Sequence, residues 1–92
     1  MTMVEKFAQG LEKEGITIDA HETSFEVYKE TPEFDVWIGE VFWDIVEYEE
    51  DENGKLYNIV VRFWMNNDEG DEICSAYSVE DMIKKIAEIT NK

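Results

Sequence analysis

Residues 41–65 have the sequence VFWDIVEYEEDENGKLYNIVVRFWM, in which two runs of alternating side chains flank Asn53-Gly54. Alternation with a period of two predicts strands, and an Asn-Gly turn between two such runs predicts a hairpin. A two-residue turn would place Arg62 on the face of Ile45, whereas a three-residue loop with left-handed Gly54 groups like side chains on both faces. We expect this second register. It pairs Val41 with Met65, Trp43 with Phe63 and Ile45 with Val61 on one face, and Phe42 with Trp64, Asp44 with Arg62 and Val46 with Val60 on the other.

Amphipathic helices are predicted near both ends of the chain. Thr2 followed by Glu5 is a capping-box pattern, and the apolar residues after it recur at helical spacing, which predicts a helix over about 3–14 that ends at Gly15. Ser78 and Asp81 repeat the capping pattern before a second apolar stripe, which predicts a helix over 79–90.

Short alternating runs around residues 16–28 predict a further hairpin, and 72–77 a short last strand. Residues 34–49 are long for one strand, and Gly39-Glu40 predicts a bulge or bend within it. The fold class expected is α+β: an N-terminal helix, an antiparallel sheet of four to five strands in meander order, and a C-terminal helix. Residues 1–92 form a single domain.

Negative charge dominates the chain, with 23 Asp and Glu against 8 Lys and Arg and a net charge of −15. Residues 21–72 hold sixteen of the acids against three basic residues, a net charge of −13, so the acidity is expected as a patch on the sheet and its turns. Direct contact with nucleic acid or with an anionic membrane is disfavoured by this charge. The single cysteine and the lack of a signal-peptide pattern favour a cytoplasmic location.

Side chains suited to catalysis or metal binding are sparse, and no catalytic residue, metal or cofactor is predicted. His21 is interpreted as a surface turn residue and Cys74 as a small core residue. Residues 66–72, NNDEGDE, gather oxygen ligands around a glycine but lack the EF-hand spacing, so a solvated acidic turn is favoured over a calcium loop.

Two sets of side chains are candidates for partner binding. The acidic set is Glu47, Glu49, Glu50, Asp51, Glu52, Asp68, Glu69, Asp71 and Glu72. The aromatic and apolar set, on the second face of the sheet, is Phe42, Val46, Val60 and Trp64. A sheet face open to water normally carries more polar residues than this second set does. We therefore expect it to be covered by a second copy of the chain, by another protein or by one of the two helices.

In its size, its acidic runs Glu47–Glu52 and Asp68–Glu72, and its helix–sheet–helix order, the chain resembles small acidic phage-encoded inhibitors of bacterial defence. These include anti-CRISPR proteins and other DNA mimics, and toxin-nuclease immunity proteins are similar in size and charge. The resemblance is to the character of a class rather than to a motif, so it assigns no residue roles. It implies an inhibitor, without catalysis of its own, that blocks a basic nucleic-acid-binding groove on a nuclease or CRISPR effector in the cytoplasm, that of the host cell for a phage-encoded protein. The alternative from the sequence is a structural or small-ligand-binding domain that homodimerises through the second sheet face.

Overall fold

A computed structural model of the protein describes residues 1–91. One helix precedes and one follows a five-stranded antiparallel sheet along the chain, and every strand pairs with its neighbours in sequence. The elements are α1 (Met3–Glu12), β1 (Ile16–Ala20), β2 (Phe25–Glu30), β3 (Asp35–Glu50), β4 (Leu56–Asn66), β5 (Glu72–Ala76) and α2 (Val79–Thr90). The predicted α+β class and meander order are confirmed.

Both helices begin at the predicted capping residues. The Glu5 N–H donates to Thr2 Oγ1 and the Asp81 N–H donates to Ser78 Oγ, each over 3.1 Å. These bonds satisfy backbone donors that have no partner within the first helical turn. α1 ends at Glu12, earlier than the predicted residue 14, whereas Gly15 has the left-handed backbone predicted for it, with a φ of 72°.

The hydrophobic core lies between the two helices and one face of the sheet. Phe7 and Leu11 of α1 and Met82 and Ile86 of α2 are fully buried in it. The strands contribute Ile16, Phe25, Val27, Val41, Phe63, Met65 and Ala76. We call this side of the sheet the helix-covered face and the other the open face. Because both helices pack on the same side, neither of them covers the open face, which was one of the three coverings expected for it.

The register of β3 with β4 confirms the three-residue loop. The five pairs from Val41–Met65 to Ile45–Val61 are as predicted, and Gly54 has a φ of 78°. The predicted pair of Val46 with Val60 is wrong, because Val60 pairs with Glu47. Val46 is an extra residue in β3, and left-handed Asn58 (φ 52°) lies where β4 returns to the original register. The two irregularities cancel, so Glu49 and Tyr57 pair as the loop requires.

A bulge also occurs near Gly39, as predicted. Val27 pairs with Gly39 and Tyr28 with Trp37, which leaves Ile38 as the extra residue. Gly39 itself is buried against β4, where an added Cβ would lie 2.6 Å from the carbonyl oxygen of Asn66. Only a residue without a side chain fits this position.

The C-terminal part of β3 and the N-terminal part of β4 extend beyond the rest of the sheet. Pairing with β2 stops at Val41, and pairing with β5 stops at Phe63. Residues 42–62 therefore form a two-stranded hairpin with no further strand, among residues 1–91, on either side; we call it the ribbon. The Cα radius of gyration is 14.6 Å, against about 12 Å for a compact domain of this length.

Candidate partner-binding surface

The ribbon carries the whole acidic run Glu47–Glu52 at its outer end. Glu47, Glu49 and Glu50 lie on the last part of β3, and Asp51 and Glu52 enter the turn. All five are exposed. Residues 42–62 include six acidic residues and two basic ones, Lys55 and Arg62, so the ribbon has a net charge of −4.

Two of these carboxylates also hold the ribbon in shape. Asp51 Oδ1 accepts the backbone N–H groups of Asn53 and Lys55, each over 2.8 Å, and Glu49 accepts from the side-chain amide of Asn58. Asp51 therefore stabilises the turn, and Glu49 stabilises the left-handed backbone at Asn58 on the other strand. Glu47, Glu50 and Glu52 are the carboxylates of this group that lack such a hydrogen bond within the described part of the chain.

The second acidic run lies at the opposite end of β4. Asp68, Glu69 and Asp71 belong to the β4–β5 turn, in which Asn67 accepts two backbone N–H groups as Asp51 does in the other turn. Since β4 has eleven residues, the two turns are separated by roughly 33 Å along the strand. The acidic residues form two clusters at opposite ends of the molecule instead of the single patch expected.

Glu72, the first residue of β5, differs from the other acidic residues of the second run because it is paired with a cation. Its Oε1 accepts from Arg62 Nη2 over 2.6 Å. Arg62 also lies over the ring of Trp64, 5.4 Å from the ring centroid, and Trp64 stacks on Phe42 with centroids 6.0 Å apart. The open face thus carries a connected set of one carboxylate, one guanidinium and two aromatic rings.

The open-face set predicted for partner binding is only partly assembled. Phe42, Val60 and Trp64 lie on β3 and β4 with their side chains half-buried. Val46 is the residue of the bulge, and the position opposite Val60 is taken by Glu47. Within residues 1–91, no helix packs over the Phe42–Trp64 stack, although the guanidinium of Arg62 lies over its Trp64 ring.

Exposed apolar side chains along the ribbon are the feature that sequence reasoning missed. Six large ones lie at its edge or outer part: Ile45, Val46, Tyr48, Leu56, Tyr57 and Ile59. Exposed apolar groups gathered on one element mark interaction sites more often than scattered ones do. Their exposure follows from strand length, since β1, β2 and β5 have five or six residues and β3 has sixteen.

The two side chains best suited to chemistry, Cys74 and His21, lie in surroundings that give them no reactive role. Cys74 is half-buried against the core, and burial raises the pKa of its thiol to about 11, so it is a poor nucleophile at neutral pH. His21 is exposed and lies 2.7 Å from Glu26, and this hydrogen bond raises the pKa of the imidazole above its usual value. Asp19 completes a group whose ligand atoms lie within 4.8 Å of one another. Asp19 and His21 are exposed and Glu26 is half-buried, an arrangement typical of a solvated surface ion pair.

A cavity of 330 Å³ lies between β5 and α2. Lys84 and Lys85 on its wall are balanced by Asp81 and Glu88, and Lys85 already donates to the carbonyl oxygen of Ser75. The wall therefore has no excess of one charge with which to select an ionic ligand.

No family model matches the chain, and no curated protein or solved structure is significantly similar to it. Within residues 1–91, neither helix has the length and apolar character needed to cross a membrane.

Proposed function

We propose that the protein is an acidic inhibitor that occupies a basic nucleic-acid-binding site on a nuclease or CRISPR effector, without catalysis of its own. The observation that carries this proposal is the ribbon, a narrow projection with five exposed acidic residues at its outer end. Nine residues of β3, from 42 to 50, extend the ribbon by about 26 Å. A projection of this kind can enter a cleft that a flat surface cannot.

Long-range attraction supports the same proposal. A protein with a net charge of −15 is steered toward surfaces rich in Lys and Arg, and it is repelled by nucleic acid. Nucleic-acid-binding sites concentrate positive charge, because their Lys and Arg side chains neutralise phosphates. Occupation of such a site by carboxylates excludes the nucleic acid without any chemical step.

The test measures DNA binding by a purified Cas effector and by a toxin nuclease in the presence of the protein. Inhibition should weaken as salt rises from about 50 mM to about 300 mM, since screening shortens the range of the attraction. Reversal of Glu47, Glu50 and Glu52 to lysine should reduce inhibition without removing the hydrogen bonds that Glu49 and Asp51 make within the ribbon. Reversal of Asp68, Glu69 and Asp71 is the matched control, because it changes the net charge equally at the other end of β4. Unchanged inhibition by the first triple variant would refute the role of the ribbon.

The alternative function is homodimerisation through the open face, and the half-buried Phe42–Trp64 stack, over which neither α1 nor α2 packs, favours it. The net charge of each copy opposes it. Sedimentation of the protein at decreasing concentration distinguishes the two: a dimer that survives dilution, and that Phe42→Glu converts into a folded monomer, would favour the alternative.

A further inference from the structure

The apolar stripe of the core continues along the ribbon beyond the helices. On the helix-covered face, successive β3–β4 pairs are Val41 with Met65, Trp43 with Phe63 and Ile45 with Val61, and Ile59 follows on the same side of β4. Exposure rises along this line: Met65 is fully buried, Phe63 is 4% exposed, Val61 is partly buried and Ile59 is 47% exposed. The helical layer therefore ends before the apolar face does.

The dimensions of this uncovered face suit one more helix. Strand β3 runs from Trp43 to Glu50 over about 23 Å, which equals the length of a helix of about 15 residues. A helix packs on a sheet through one apolar stripe, as α1 and α2 do on the neighbouring part of the same face. An amphipathic helix with apolar residues three and four positions apart would extend the layer that α1 and α2 begin.

Charge decides which helix this is. The ribbon has six acidic residues, and of its two basic residues Arg62 is already bonded to Glu72. A second copy of the chain would bring the same charge to the contact, and like charges that face each other are destabilising. Lysine and arginine on the flanks of a docked helix would instead pair with Glu50 and with Asp51 and Glu52 of the turn. The face selects a basic occupant.

We infer that the part of the helix-covered face that lies on the ribbon, beyond α1 and α2, is a docking site. Its occupant is a basic amphipathic helix of the partner protein. The inference rests on the proposed function in that the partner is basic, and it adds that the contact element is a helix held by Ile45, Ile59 and the neighbouring Trp43 and Val61. Binding then has an apolar component that salt does not screen, besides the steering by the acidic turn.

The probe is a synthetic peptide of about 15 residues made of leucine and lysine, with leucine at helical spacing. The control peptide has the same composition in strictly alternating order, which favours a strand and tests pairing with the free edges of the ribbon instead. Titration calorimetry measures affinity, and far-ultraviolet circular dichroism measures the helix formed on binding.

We expect the helical peptide to bind about tenfold or more tightly than the alternating peptide, with a gain in helicity. Ile45→Ser and Ile59→Ser should each weaken binding by about tenfold, since both remove apolar contact without changing charge. Phe34→Ser is the matched control, because Phe34 is an exposed apolar residue just before the opposite end of β3. It should leave the affinity unchanged.

Equal affinity for the two peptides, tighter binding of the alternating one, or unchanged affinity of both isoleucine variants would overturn the inference. A dimer of the free protein that Ile59→Ser dissociates would also overturn it, because a second copy would then cover the face. Failure of the peptide to bind, while the triple charge reversal on the ribbon does reduce nuclease inhibition, removes the helix site alone. Helical binding by a protein that inhibits no nuclease removes the proposed function alone.

Discussion

Replacing Gly39 with alanine should destabilise the protein more than a single added methyl group ordinarily does. The new Cβ would lie 2.6 Å from the Asn66 carbonyl oxygen, 2.8 Å from Met65 Cγ and 3.1 Å from Met65 Sδ. The nearest atom belongs to the backbone of β4, so it cannot move without disturbing the pair of Glu40 with Asn66. Overpacking of a core costs about 1–3 kcal/mol, and a fixed backbone contact places this variant near 3 kcal/mol.

Gly10→Ala is the matched control for Gly39→Ala. Its Cβ also meets an atom at 2.6 Å, but that atom is Ile83 Cδ1, the end of a flexible and half-buried side chain. Alanine in a helix is favoured over glycine by about 0.8–1 kcal/mol, which offsets the rearrangement of Ile83. We expect a change in the free energy of unfolding between zero and a gain of about 1 kcal/mol.

Urea-induced unfolding, followed by tryptophan fluorescence, measures the free energy of unfolding of both variants. A loss of about 3 kcal/mol corresponds to a fall in melting temperature of roughly 12–24 °C for a domain of this size. A Gly39→Ala protein within about 0.5 kcal/mol of the parent would refute the reasoning, because β3 and β4 would then have room that the close approach excludes.

Three further predictions concern single side chains. Cys74 should react with iodoacetamide slowly in the folded protein at pH 8 and quickly in urea, because burial raises the pKa of its thiol to about 11; rapid labelling of the folded protein would contradict this. Hydrogen bonding to Glu26 raises the pKa of His21 above its unfolded value. The stabilisation is therefore fully present below about pH 6.5 and is lost as pH rises through the folded pKa. His21→Gln should flatten this part of the stability profile, measured by urea unfolding between about pH 5.5 and pH 8.5, and an unchanged slope would exclude His21 as its origin. Asn58→Ala should cost about 1 kcal/mol and Asn58→Gly less, since residue 58 has a φ of 52° and alanine tolerates that conformation poorly; equal unfolding midpoints in urea would show that the left-handed backbone is not the cause.

Much of the fold follows from local sequence signals. The capping residues Thr2 and Ser78 mark both helix starts, and Gly54 determines the hairpin register because only one loop length groups like side chains. The pair of Val46 with Val60 failed for a local reason. An asparagine inside a strand is a weak signal of left-handed backbone, and Asn58 displaces the register by one residue over a short segment.

The surface was harder to predict than the fold, although the separation of the two acidic turns follows from the predicted strand order. In a meander, successive turns lie at opposite ends of the sheet, so the acidic turns at 51–55 and 67–71 belong to different ends. Counting charge by sequence segment hid this separation. The ribbon part of the helix-covered face is exposed because β2 and β5 stop before β3 and β4 do. Hydrophobic alternation does not reveal where a neighbouring strand stops.

The acidity of the ribbon and its exposed apolar face are best understood together. A two-stranded projection with free edges and exposed Ile45, Tyr48, Tyr57 and Ile59 is prone to pair with other copies of itself. A net charge of −4 on the same element opposes that self-association while favouring a basic partner. Under the proposed function, resistance to self-association and selection of a basic partner are one effect of the same carboxylates. It follows that their neutralisation should remove the discrimination between self and partner before it weakens the apolar contact.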